Sequence, residues 1–433
     1  MCSEDISKAD MQNVLNFLLQ YNKISYDEVL DNMEIMKNKD ILNQHPYTIT
    51  ANKDGRYSTY IIDETKPSNR RKIVKPTREA LEKEIIRIYK ERDEEQSRKK
   101  ICLRQLYPEW LDYKSLHTDS TAYIKTIDEL WNKFYYNNSI VDIPLYKLDK
   151  KTLDIWAHKL IRDNNMTKKK YYNTTIIMRQ ALDYAIDSHI IDYNCFNNVK
   201  IDSKLFRKPK KKADETQVFL INEQKLIEQE AYKDFEETQS TSCLAIPFAF
   251  QTGLRVSELT SLKWSDIDEE KENYIHIQRM EIVTHTKQSD GTWTNPERVV
   301  VDRTKSDVGN RNVYLSTTAR NILKMVHETN IKNGYKDTEY IFVNENGKIH
   351  ESALNCRLRK YCKNINITKK SMHKIRKTYI STLIDNENIN INYIREQVGH
   401  TDERTTYGNY CFNRCPKDLT QAEMEKSLVS HPA

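Results

Sequence analysis

The spacing of apolar positions changes along this chain, and each change predicts a boundary. Val14, Leu15, Leu18 and Leu19 fall at helical spacing, which predicts short helices over residues 1–43. From Tyr47 to Ile62 the pattern becomes β-rich, with Thr48, Ile49, Tyr57, Thr59, Tyr60, Ile61 and Ile62 around Asp54-Gly55, a hairpin signature. Ile73 and Val74 supply a third strand inside a basic run of Arg70, Arg71, Lys72, Lys75 and Arg78. Thr77, after Pro76, opens a helix over 77–100 loaded with i,i+4 charge pairs. Residues 44–100 thus form a small sheet domain with a connecting helix.

Over 101–200 the pattern is wholly helical: Leu153, Trp156 and Leu160 share one face, and Ile177, Ala181 and Ala185 another. Lys168, Lys169 and Lys170, followed by Tyr171 and Tyr172, make a basic, aromatic edge at a helix start. Residues 201–215 hold Arg207, Lys208, Lys210, Lys211 and Lys212 around Pro209, a poor helix and a good exposed linker. Residues 216–415 are mixed. Helices are predicted over 222–260, strands over Tyr274–Thr286, Val299–Lys305 and Arg311–Ser316, and helices again at 317–330, 351–364, 373–386, 391–398 and 402–412. Residues 416–433 are left as a tail. The expected fold is multidomain and mainly α with small β-sheets: an N-terminal β-sheet domain, an α-helical domain and a mixed α+β domain.

Composition narrows the chemistry. The 433 residues include eight glycines, no two closer than nine positions, which excludes a G-x-G-x-x-G loop, a Walker-A cradle and a G-x-S-x-G elbow. Nucleotide-driven work and common serine-hydrolase chemistry are therefore out, and neither a cofactor nor a metal is expected. A net charge of +6, from 69 basic against 63 acidic residues, is mild, so the local clusters decide the partner. Eight cysteines without a C-x-x-C pair read as reduced thiols rather than a disulfide framework. Val14–Leu19 is too short for a signal core, and nothing approaches the ~18–20 apolar residues of a membrane helix. A cytoplasmic protein without a membrane partner is expected.

Four separated segments carry candidate chemistry. Thr252-Gly253-Leu254-Arg255-Val256-Ser257-Glu258-Leu259 places an arginine after a turn and a carboxylate one helical turn on, between apolar flanks. A buried arginine held by a carboxylate presents a fixed fork suited to phosphate oxygens. Lys305, at the tip of a hairpin between the second and third predicted strands of this region, offers a mobile ammonium; Lys287 and Lys348 are rivals that sequence physics does not separate from it. Residues 369–377 hold Lys369, Lys370, Lys374, Arg376 and Lys377 with His373 and no acid. His373 and Arg376 share a helix face, and this concentration of charge favours a polyanion. Gly399-His400-Thr401 is followed by Tyr407 and Tyr410.

Taken in order, Gly-Leu-Arg-x-Ser-Glu-Leu, a lysine between strands, His-x-x-Arg, Gly-His and a tyrosine ten residues on resemble the catalytic domain of the tyrosine recombinases, the phage-integrase family, over about 216–415. The helical 101–200 segment resembles the family's core-binding domain. The sheet at 44–80 resembles the arm-type DNA-binding domain of conjugative-transposon integrases, and residues 1–43 match nothing with a role. The resemblance implies that Tyr410 is the nucleophile and projects into the basic pocket while Tyr407 packs against the domain, that Arg255 and Arg376 clamp the scissile phosphate, and that Lys305 is the general acid. His373 and His400 assist proton transfer, and Glu258 orients Arg255. It also implies a site-specific integrase of a mobile element that acts as a homotetramer on double-stranded DNA at core and arm sites, with DNA-bending and excisionase accessory proteins. Arg70, Arg71, Lys72, Lys75, Lys168, Lys169, Lys170, Arg207, Lys208, Lys210, Lys211 and Lys212 are the expected DNA contacts.

Other readings compete. A type IB topoisomerase uses similar residues, but the arm-like sheet and short tail favour the recombinase. A non-catalytic DNA-binding regulator would not need the full residue set. A metal-dependent nuclease would use Asp266, Asp268, Glu269 and Glu270, a run that better caps a loop before the first strand.

Overall fold

The computed structural model describes residues 26–63, 65–210, 212–267, 273–305 and 307–429. The apolar stripe at Val14–Leu19, Lys211 and the acids Asp268, Glu269 and Glu270 lie outside them. In chain order the elements begin with α1 (Tyr26–Asn43), β1 (Thr50–Ala51), β2 (Tyr57–Ile62), β3 (Arg70–Lys75), α2 (Arg78–Lys100), α3 (Leu103–Ser115) and α4 (Thr121–Phe134). There follow α5 (Lys150–Asp163), α6 (Lys168–Thr174), α7 (Ile176–Asp187), α8 (Ile221–Thr238), α9 (Ala245–Thr252) and α10 (Val256–Leu259). Next come β4 (Tyr274–Ile277), β5 (Met280–Thr284), β6 (Glu297–Val301), β7 (Arg311–Tyr314), α11 (Thr317–Lys332), β8 (Val343–Asn344) and β9 (Gly347–Lys348). The chain closes with α12 (Glu351–Asn364), α13 (Met372–Ile384), α14 (Ile391–Val398), α15 (Glu403–Tyr410) and α16 (Lys417–Val429). The chain is multidomain and mainly α with small sheets. One unit takes residues up to Tyr113 with Leu130–Phe206, and the other takes Lys114–Glu129 with Arg207 onward.

In the first unit, β1, β2 and β3 form an antiparallel sheet in that order. Gly55 turns the predicted hairpin at φ +79°, a conformation glycine adopts freely. Thr77 caps α2, its hydroxyl accepting from the Ala80 amide at 3.1 Å. Alternation along β2 buries Ser58, Thr59 and Ile61 and leaves Tyr60 and Ile62 outside. In the helical part, Tyr107 stacks on Trp131 at 3.8 Å between centroids, and the fully buried Tyr135 donates its hydroxyl to the Thr174 carbonyl at 2.9 Å. Both predicted apolar faces, at Leu153, Trp156 and Leu160 and at Ile177, Ala181 and Ala185, are buried.

The core of the second unit gathers around α9, whose Ile246 and Phe248 are fully enclosed with Ile275, Val313 and Ile375. Each such side chain contributes roughly 1.5–3 kcal/mol of burial. The strands pair as β4 with β7 and β5 with β6, both antiparallel. Gly291, at φ +82°, follows Ser289 and Asp290 and turns the β5–β6 hairpin. The β-rich run from Tyr274 to Thr286 is two strands, because the chain breaks step at Gln278 and Arg279, whose side chains both turn to the buried Asp266. Lys305 therefore does not sit at a hairpin tip. It lies on the connection from β6 to β7, strands that pair with different partners.

Candidate active site

The site starts where α9 ends. Gly253 adopts φ +61°, and a Cβ there would lie 2.1 Å from the Tyr379 ring, so only glycine lets α9 stop against α13. The chain then extends through Arg255, which precedes the first turn of α10. Glu258 reaches back to it: Oε2 accepts from the Arg255 amide at 3.0 Å and Oε1 from Nη1 at 2.7 Å. Burial opposes ionisation of Glu258, but Arg311, Arg255 and Arg376 outweigh it and hold the carboxyl at about 2. The i,i+3 pair expected from sequence is thus a buried carboxylate serving two guanidiniums, because Arg311 Nη2 also lies 2.9 Å from Oε2.

Arg376 on α13 is 1% exposed. Its Nη1 donates to the Gly253 carbonyl at 2.9 Å, and its Nη2 donates to the Val398 carbonyl and, at 3.1 Å, to His400 Nε2. Burial and then the charge of Arg255 push it down to about 10. Helix α14 ends at Gly399 with φ +64°, and its end collects the cations. Arg311 Nε donates to the Gln397 carbonyl at 2.8 Å, Arg376 to that of Val398, and Arg255 Nη2 to that of Gly399 at 3.1 Å. Three consecutive carbonyls each hold a different arginine at the negative end of a helix.

Because a guanidinium only donates, His400 Nε2 is the acceptor from Arg376. The ring hydrogen then sits on Nδ1 and is donated to Thr406 Oγ1 at 3.0 Å. Burial, then Arg376 and Arg255, hold His400 down at about 3, so the ring is neutral at ordinary pH. His373 is held at about 4 by partial burial and by Lys377 and Arg376. Thr406 and Tyr410, one turn apart on α15, face inward, 0% and 9% exposed. The Tyr410 ring stands 4.8 Å from that of His400 and 6.2 Å from that of His373. Tyr407 is 51% exposed. The expectation that it packs against the domain is corrected: Thr406 fills that inward position.

Arg255, Lys305, His373, Arg376, Gly399, His400 and Tyr410 line one pocket of about 500 Å³. The rival lysines are engaged elsewhere, Lys287 with Asp128 at 3.3 Å and Lys348 with the buried Glu281 at 2.9 Å. Asp266 caps the turn at 264–266, accepting from the Lys263 amide at 2.8 Å, and pairs with Arg279, as a loop cap rather than an open metal ligand.

The remaining predicted contacts separate. Arg70 and Lys72 lie on the open face of the sheet opposite Ile62 and Tyr60, with the Arg70 guanidinium 4.6 Å from the Tyr60 ring centroid. Arg71 and Lys75 alternate to the other face, beside Asp63 at 3.7 Å and Glu84 at 3.5 Å. Lys168, Lys169 and Lys170 are exposed on the first turn of α6, and Arg207, Lys208, Lys210 and Lys212 are exposed along the linker. Sequence reasoning missed Arg311 and Thr406. The alternation Arg311-x-Val313-x-Leu315, which places Arg311 on the buried face of β7, is the signal that marks the arginine. A lone threonine carries no such signal.

Fold and pocket together define a tyrosine-type site-specific recombinase. Residues 221–414 match the model of the phage integrase family and form a domain of that family. It is 26% identical to the integrase of Staphylococcus phage L54a over 336 residues, which cover 72% of this chain and 89% of that one. It is 25% identical to the ICEBs1 integrase of Bacillus subtilis (strain 168) over 265 residues, 58% of this chain and 64% of the other. Its fold is similar to that of the Tn1549 transposon integrase, solved in complex with a circular intermediate DNA, with a TM-score of 0.54 at 16% identity over 76% of this chain and 99% of that one. It is likewise similar to a lambda integrase dimer bound to a core site, with a TM-score of 0.50 at 14% identity over 86% and 96%.

Proposed function

We propose that this recombinase of a mobile element integrates and excises DNA through a covalent 3′-phosphotyrosyl intermediate, with Tyr410 as nucleophile. The observation that carries the reading is the single pocket that sets Tyr410 among Arg255, Lys305, His373, Arg376 and His400. The Tyr410 phenol oxygen bonds to phosphorus as the bond from phosphorus to the 5′-oxygen breaks, and Lys305 gives that oxygen its proton. The phenol proton passes to the neutral imidazole of His373, since both ring nitrogens of His400 are already engaged. Arg255 and Arg376 meet the charge that grows on the phosphorane, as preorganised donors do without reorganising. The ester keeps the bond energy, so a 5′-hydroxyl from another strand attacks it in the reverse step and rejoins the DNA.

In this reading residues 44–100 bind arm sites, 101–200 and 216–415 enclose the core site, 201–215 link them along the phosphates, and 416–433 form the tail. The active form is a homotetramer on two duplexes, assisted by DNA-bending and excisionase proteins and working in the cytoplasm on nucleoid DNA. No helix among the described residues is long and apolar enough to cross a membrane. The test is incubation of the protein with the ends of its element, without nucleotide or divalent metal. A protease-sensitive 3′-linked protein–DNA adduct is expected. Free cleaved ends without adduct, appearing only with magnesium, would favour a nuclease. DNA binding without cleavage would favour the regulator.

A further inference from the structure

We propose that Arg311 is a positioning residue for the general acid: it fixes the connection that carries Lys305 against the end of α14. The inference rests on the assignment of Lys305 as the acid. Arg311 is 8% exposed and all three guanidinium nitrogens are engaged. Nε holds the Gln397 carbonyl at 2.8 Å, while Nη1 and Nη2 meet Glu258 at 3.2 and 2.9 Å. Nη1 also donates at 2.9 Å to the carbonyl of Gly309, on the Lys305 connection itself. A fixed fork with five donors can span these acceptors at once, and an ammonium cannot.

The route from Arg311 to Lys305 is short and close-packed. A Cβ at Gly309 would lie 2.3 Å from the hydroxyl oxygen of Thr304, the neighbour of Lys305. A Cβ at Gly399 would lie 2.9 Å from the Val308 carbonyl and 3.3 Å from the Arg311 side chain. The connection therefore folds back on itself through Gly309 and docks on the helix end through Gly399, with Arg311 tying both. Lys305 is otherwise on a segment between strands that pair elsewhere, so the sheet alone does not place its ammonium. Glu258, already the carboxylate for Arg255, is also the counter-charge that keeps Arg311 in this buried position.

The test compares cleavage of a normal phosphodiester with cleavage of a substrate bearing sulfur at the bridging 5′ position. A thiolate leaves without a proton, having a conjugate acid near the ~8.5 of a thiol, so a defect in proton donation disappears on sulfur while a defect in phosphate binding or folding does not. Lys305→Ala is expected to lose about 10²–10⁴-fold on oxygen and to recover on sulfur. Arg311→Met in the full chain is expected to lose on the order of tenfold or more on oxygen and to lower the oxygen-to-sulfur rate ratio in the same direction. Arg311→Lys carries the same measurement if Arg311→Met does not fold, and is expected to fall between it and wild type. Recovery of Lys305→Ala on sulfur with equal losses of the Arg311 variants on both substrates overturns this proposal alone. Failure of Lys305→Ala to recover overturns the acid assignment and this proposal with it.

Discussion

Thr406 Oγ1 lies 3.0 Å from His400 Nδ1, one helical turn before Tyr410 on α15. Arg376, which can only donate to Nε2, leaves the ring hydrogen on Nδ1; the Thr406 hydroxyl accepts it and holds the ring, and the same helix turn presents Tyr410. Orientation of the histidine and placement of the tyrosine are thereby set by one element. Thr406→Val keeps the volume and removes the acceptor, so cleavage is expected to slow by about fivefold to tenfold, in line with roughly 1 kcal/mol for one hydrogen bond. Thr406→Ser is expected to stay near wild type, and nitrogen NMR of His400 should keep the Nδ1–H tautomer in every variant, since Arg376 still donates to Nε2, with the Nδ1 resonance shifted only in the valine variant.

The identity of the nucleophile is open to a direct comparison. Tyr410 is enclosed and Tyr407 is half-exposed. On a suicide substrate nicked beside the cleavage point, wild type and Tyr407→Phe should both trap a covalent adduct. Tyr410→Phe should bind that DNA with similar affinity and trap none. An adduct in Tyr410→Phe that is absent from Tyr407→Phe would reverse the assignment.

Glu258, 1% exposed and shared by Arg255 and Arg311, is expected to be a stability hot spot. Glu258→Gln leaves two guanidiniums without a counter-charge in a buried site. A loss of about 3–5 kcal/mol is expected from breaking such a pair, read from urea denaturation. A change below about 1 kcal/mol, the range of a surface pair, would mean that solvent reaches the cluster.

Acid should weaken the fold through the two histidines. Both are held neutral, at about 4 for His373 and about 3 for His400, below the ordinary 6.5. A depressed value means that the unfolded chain takes up protons first. Their contribution is therefore complete above 6.5 and declines as pH falls toward 4 and 3. Glu258, held at about 2 against an ordinary 4.5, adds a loss of the same sign at lower pH. Denaturation curves between pH 7 and 4 should show falling stability, with a shallower fall in His400→Gln. Flat stability across that range would contradict the neutral assignment.

The small sheet should divide its basic residues by face. Arg70→Ala and Lys72→Ala, on the open face, are each expected to weaken arm-site binding and to lower the salt slope by about 1. Arg71→Ala and Lys75→Ala, which turn toward Asp63 and Glu84, should leave the slope nearly unchanged when binding is titrated over a range of salt.

Much of the site was legible because its chemistry is carried by residues with few bland uses in that order. Arg255, His373, Arg376, His400 and Tyr410 stand beside turn glycines and helix starts that local pattern reveals, and the pocket gathers all five. Pairing was not legible. Alternation says that Tyr274–Ile277 is a strand but not that its partner is Arg311–Tyr314 across an intervening hairpin. This is why Lys305 was expected at a hairpin tip. Arg311 was hidden for a related reason: its partners Glu258, Gly309 and Gln397 come from three places in the chain. Gln217, which accepts from Lys374 Nζ at 2.6 Å, belongs to the same class of contact that only the closed fold creates.

Tyr410 stands beside His400 and His373 of its own chain, and this bears on how labour would be divided within an assembly. On the proposed roles, each subunit is expected to carry a whole cutting apparatus and to cut with its own parts. When subunits lacking the tyrosine are mixed with subunits lacking Arg255, neither is expected to lend the other what it is missing. The mixture is expected to stay inactive, with as many strands broken in an assembly as there are intact subunits engaged on them.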